Sequence, residues 1–165
     1  MANHGSDTVS VVDLAAHTLV TTIAVGSGPI DVAVTPDGSR AYVANSFART
    51  VSVLDTASHA VVATIPVVVW SPRSVAITSD GARVWVSGDR GITVINAASN
   101  TVVGEVPTVR FASDVAFSPD GARAYVVADG LQVVDTATFA VLADLYAGHG
   151  VVARSSAPPS PAATP

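Results

Sequence analysis

Apolar residues along this chain come in short β-branched runs, broken at close intervals by polar turns built on Asp-Gly or on Asp/Asn followed by small residues. Runs such as TVSVVD (8–13), RAYVAN (40–45), TVSVLD (50–55) and RVWVSG (83–88) alternate or are continuously apolar. No stretch keeps a 3.6-residue apolar period. β-Branched side chains pack well on a pleated surface and lose rotamer freedom in a helix. The pattern therefore predicts strands throughout and almost no helix.

The pattern also repeats. Segments 8–26, 50–68, 92–109 and 131–148 resemble one another, and segments 30–45, 73–88 and 113–128 resemble one another between them. Asp37, Asp80 and Asp120 are 43 and 40 residues apart, and Asp13, Asp55, Asn96 and Asp135 are 42, 41 and 39 apart. A period near 40 residues with two kinds of turn indicates a stack of small sheets. Each period reads as four strands. Strand A (VAV, VAI or VAF) leads through PDGS, SDGA or PDGA into strand B, which carries Tyr42, Trp85 or Tyr125. Asp-Gly supplies the positive backbone dihedral of a tight hairpin. Strand C ends in Asp or Asn, whose side chain can bond nearby backbone donors, and strand D follows.

Four antiparallel strands per unit make a β-propeller blade. The string TPDGSRAYVANSFARTVSVLDTASHAVVATIPV resembles the YVTN-type propeller repeat of exported bacterial and archaeal surface-layer proteins, with the likeness running over roughly residues 3–150. That resemblance implies binding and scaffolding, with few catalytic residues. The expected class is all-β: an incomplete ring of about three and a half blades. It comprises a C–D half-blade at 3–27 and full blades at 28–68, 69–109 and 110–150, fourteen strands in all. Residues 151–165 are rich in Pro, Ala and Ser, and that composition predicts a disordered tail. The first half-blade and the last blade are expected to offer open edges, to a protein partner or to another copy. A truncated, non-functional gene fragment is a competing reading.

Composition excludes several chemistries. The 165 residues contain 31 valines but no cysteine and no lysine. Disulfides, thiolate metal sites, the Walker phosphate loop, Schiff-base chemistry and Ser-Lys catalysis are thereby removed. A net charge of -5 gives no nucleic-acid footprint. No apolar run is long enough for a transmembrane helix, and the start MANHGSDT shows no signal-peptide pattern. The compartment stays open, although proteins with the resembling repeat are often exported.

Candidate chemistry is what remains after the repeat is subtracted. Asp37, Asp80 and Asp120, the arginines after them (Arg40, Arg83, Arg123) and the strand-C ends recur, and so read as structural. His17 and His59 share one turn position and read as solvated. His4 and His149 lie near opposite ends of the arc, and a metal pair there requires a closed ring. Glu105 is the sole glutamate, and no G-x-S-x-G, H-E-x-x-H, calcium loop or P-loop is present. No catalytic, metal or cofactor residue is assigned, and no cofactor is expected.

In a propeller the A–B and C–D turns share one face, and the B–C and D–A loops share the other. Phe47, Arg49, Asp89 and Arg90 fall in B–C loops, and Trp70, Arg73, Arg110 and Phe111 in D–A loops. Arginine and exposed aromatics make interface hot spots. This rim is the expected binding face, for a protein or an acidic ligand, although variable loops also simply hold variable residues. The alternative is an accessory or truncated subunit of a propeller enzyme, lactonase-like or redox. Asp31 and Asp114 would then face its channel mouth.

Overall fold

A computed structural model describes residues 1–107, 111–128 and 130–146. The expected tail, and Arg110, Asp129 and His149, lie outside the described residues. Among the described residues there is no helix, and hence none long and apolar enough to cross a membrane. Fifteen strands form four antiparallel sheets.

The first sheet has three strands, β1 (Ala2–Asn3), β2 (Thr8–Asp13) and β3 (Thr18–Ala24). The second is β4 (Pro29–Val34), β5 (Arg40–Asn45), β6 (Thr50–Asp55) and β7 (Ala60–Pro66). The third is β8 (Trp70–Ile77), β9 (Arg83–Asp89), β10 (Gly91–Asn96) and β11 (Thr101–Pro107). The fourth is β12 (Asp114–Phe117), β13 (Arg123–Val127), β14 (Gly130–Asp135) and β15 (Val141–Tyr146). Each sheet is a meander in sequence order, as blades are.

One strand exceeds the expected fourteen. The opening MANHGSDTVSVVD aligns with the strand-B end YVANSFARTVSVLD, and its Ala2 and Asn3 do form a short strand, paired with Val9 and Thr8. The Asn3 carboxamide donates to the Thr8 and Ser10 hydroxyls at 3.0 and 2.8 Å. Asn45 makes the equivalent contacts to Thr50 and Ser52 at 3.1 and 2.9 Å. The first sheet is therefore B–C–D rather than C–D.

The inner strands β4, β8 and β12 lie side by side, and the core consists of the layers between sheets. Tyr42, Val51 and Val53 of the second sheet pack on Val84, Val86 and Ile95 of the third. Trp85, Ile92 and Val94 of the third pack on Ala124, Val126 and Val134 of the fourth. Alternation along each strand thus sends one face to the preceding sheet and the other to the following one. This explains the near-continuous apolar runs, because inner blades are covered on both faces. Every β-C/β-D hairpin carries a bulge at the same place, between Val11/Val12, Val53/Leu54, Val94/Ile95 and Val133/Val134. Among the described residues the sheets form an arc and not a closed ring.

Candidate functional site

The two faces of the arc are built differently. On the turn face, each A–B hairpin closes on Asp-Gly with the glycine in the left-handed region, at φ of 72°, 69° and 69° for Gly38, Gly81 and Gly121. The Asp37 carboxylate accepts from the Thr35 hydroxyl at 2.5 Å and from the Ser39 amide at 3.0 Å. Asp80 and Asp120 repeat this with Thr78 and Ala82, and with Ser118 and Ala122. The Thr35 hydroxyl above all, then Ser39, lowers the Asp37 carboxyl from 3.8 to about 2. Asp13, Asp55 and Asp135 accept from amides of the C–D turns, which hold their carboxyls below the ordinary range too. These acids are engaged by hydroxyls and backbone amides of their own turns.

The recurring arginines and aromatics tie neighbouring sheets together. Arg40 donates to the Ala97 carbonyl at 3.2 Å, and the Tyr42 hydroxyl lies 3.2 Å from both that carbonyl and Asn100 Oδ1. One sheet on, Arg83 donates to the Thr136 carbonyl, while Trp85 meets the edges of Phe117 and Phe139 at 5.6 and 5.9 Å. Asn100 and Phe139 occupy the same turn position as His17 and His59, and all four have positive φ. Asn100 and Phe139 thereby reach Tyr42 and Trp85 of the preceding sheet.

Asp31 and Asp114 are also engaged between sheets. Asp31 accepts from the Val32 and Val75 amides at 2.8 Å each, and Asp114 accepts from the Ser74 hydroxyl at 3.1 Å. They bridge inner strands, and Asp114 stays exposed there. Among the described residues no group of three acidic, histidine or cysteine side chains is placed to hold a metal ion.

On the opposite rim, the non-repeating residues meet one another. The Arg49 guanidinium lies 3.8 Å from the Trp70 ring centroid. Arg73 Nε lies 3.3 Å from Asp89 Oδ1, and the Arg73 guanidinium lies 5.6 Å from the Phe111 ring. Phe47 takes an edge-to-face contact with His4 at 5.0 Å. Gly28 makes room for it, since a Cβ there would sit 2.9 Å from the Phe47 ring. The rim contacts therefore step from the first sheet to the approach to the fourth: His4–Phe47, Arg49–Trp70, Arg73–Asp89 and Phe111. Of the eight residues expected on this rim, seven are described. Six of these touch a partner within the set or His4, and Arg90 stands beside Trp70 and Asp89 in one groove.

That groove, of about 330 Å³, runs along the rim end of the third sheet between Trp70, Asp89, Arg90, Thr93 and Glu105. Phe47, Trp70 and Phe111 are more than half exposed, at 70%, 54% and 55%. Arg49 and Arg90 hold left-handed backbone at φ of 55° and 73°, a conformation that non-glycine residues adopt at a cost. His4 and Glu105 were not legible as members of this set. His4 meets Phe47 across two sheets, a contact no local pattern shows, and Glu105 reaches the groove because β11 ends beside Arg90.

No family model and no curated protein matches the chain. Solved structures do. The chain superposes on hydrazine synthase of Kuenenia stuttgartiensis with a TM-score of 0.82 and 28% identity, over 87% of this chain and 44% of that one. It also superposes on a functionally unknown protein from Desulfotomaculum acetoxidans DSM 771 with a TM-score of 0.70 and 20% identity, over 92% of this chain and 54% of that one. The fold is all-β and propeller-like. The chain spans about half the length of the proteins it matches.

Proposed function

We propose that this chain is a non-enzymatic binding module of YVTN-repeat type that recognises acidic, partly apolar segments of other proteins along its B–C/D–A rim. The observation that carries the reading is the Arg49–Trp70 stack beside the groove of Trp70, Arg90 and Glu105. A guanidinium over an indole is a rigid, partly desolvated cation that keeps its outward N–H groups for a carboxylate. Exposed Phe47 and Phe111 extend apolar surface on either side. The turn face also carries a groove, of about 430 Å³ between Asp37, Arg40, Asp80 and Ala97, but there the acids are engaged by hydroxyls and amides of their own turns and Arg40 by the Ala97 carbonyl.

The test is a peptide-array screen with the intact chain, repeated with Arg49→Ser, Arg73→Ser and Trp70→Ala combined. Peptides that place Asp or Glu next to an apolar residue should bind the native chain and lose at least about tenfold in affinity to the variant, the scale of one hot-spot residue. Equal binding by both proteins sinks the reading.

A second reading rests on the 28% identity to hydrazine synthase. Here the chain serves as a subunit in an enzyme assembly whose chemistry another chain carries. The rim would then hold one fixed polypeptide at one-to-one stoichiometry, rather than a class of acidic segments.

A further inference from the structure

The positions that are sealed between sheets inside the arc are open at its two ends. In the second and third sheets the face toward the following sheet is Tyr42, Ala44, Val51, Val53 and Ile65, or Trp85, Ser87, Ile92, Val94 and Val106, all buried. The same register positions in the fourth sheet are Tyr125, Val127, Leu131, Val133 and Leu145, none of them buried, and Val127 is 46% exposed. At the other end, Val12 occupies the position of Leu54, Ile95 and Val134. It is 45% exposed where they are at most 3%.

The two ends also match in detail. Inside the arc, Tyr42 receives the polar turn residue Asn100, whereas Trp85 receives Phe139. Strand D follows suit: Ala63 lies opposite Val53, and Gly104 lies opposite Val94. A Cβ on Gly104 would collide with the Phe139 ring, so glycine is what lets that ring sit there unshifted. The fourth sheet carries the Tyr/Ala version, Tyr125 with Ala143 opposite Val133. It therefore calls for a polar residue in the incoming turn. The first sheet presents one: His17, with φ of 54°, the same as Asn100.

We infer that two copies of this chain associate head to tail, the open face of each fourth sheet covering the open face of the other copy's first sheet. The contact continues the interface that already joins sheets within the chain. Tyr125 and Arg123 take the Leu14 carbonyl and His17, as Tyr42 and Arg40 take the Ala97 carbonyl and Asn100. A heterologous contact closes in two steps when each partner supplies half of the turn. The inference does not depend on the rim.

The test is sedimentation equilibrium of the full chain, with Val12→Glu and Val127→Arg made singly. The native chain should run at twice its 16.6 kDa mass. Each variant alone should run as a monomer with an unchanged strand-type circular dichroism spectrum. Mixing the two should restore a dimer, because one of the two contacts is then native on both sides. A monomeric native chain, an open-ended ladder of species, or a dimer indifferent to both substitutions overturns the proposal. So does a mixture that stays monomeric.

Discussion

The turn face and the rim face of this arc use the same residue types to opposite ends. Arg40 and Arg83 reach carbonyls of the next sheet, and Asp37, Asp80 and Asp120 are saturated by hydroxyls and amides. Arg49, Arg73 and Asp89 bond only to one another and to exposed rings. The recurring acids, and the arginines of the two inner sheets, are engaged within the fold. A charge that occurs once is left pointing at solvent. The difference separates residues tied into the architecture from residues left on the surface.

The two tryptophans break this comparison most directly. Trp85 is fully buried between the third and fourth sheets, whereas Trp70 is 54% exposed on the rim. Trp85→Ala should lower the unfolding free energy by about 3–5 kcal/mol. Trp70→Ala should lower it by less than about 1 kcal/mol. Urea denaturation of both variants checks the contrast, and equal losses would erase it.

A smaller effect sharpens the account of the sheet interfaces. Gly104→Ala drives a methyl into the Phe139 ring and should cost about 1–3 kcal/mol, the range for overpacking. In a Phe139→Ala background the same change should cost much less, because the ring is gone. A double-mutant cycle measures the difference, and additive losses would show that the two residues do not interact.

The gentlest test is pH. Asp37 titrates at about 2 in the fold against 3.8 as its ordinary value, and Asp80, Asp120, Asp13, Asp55 and Asp135 are shifted in the same direction. A depressed folded value means that the stabilisation is complete above the unfolded value. It fades as the pH falls toward the folded one. Thermal scans should therefore show Tm falling between roughly pH 4 and pH 2. The slope should be shallower in Asp37→Asn.

Much of this was legible in the sequence because a propeller blade is a local structure. Asp-Gly marks each A–B hairpin, an Asp or Asn at the end of strand C marks each C–D turn, and both recur at a fixed spacing. Sorting residues into recurring and unique also collected the rim, since loops on one face are unique together. What stayed hidden was contact between units. Nothing local says that Trp85 meets Phe139 or that Tyr42 meets Asn100, because those partners lie more than fifty residues apart and belong to different sheets. One signal was available. The turn position that reads His17, His59 and Asn100 switches to Phe139 in the unit after the strand where tyrosine switches to tryptophan. The short strand at Ala2–Asn3 had a signal too, since MANHGSDTVSVVD aligns with the strand-B end YVANSFARTVSVLD, but two residues are too few to count as a strand from pattern alone.

The bulge in the outermost hairpin of each sheet has a bearing on survival in a crowded solution. The extra residue is Val20, Val62, Val103 or Leu142, an exposed apolar side chain on an edge strand. A flat edge of that composition would template lateral growth into fibrils. The misstep in its ladder twists the edge and removes the regular row of donors and acceptors that an incoming strand would need.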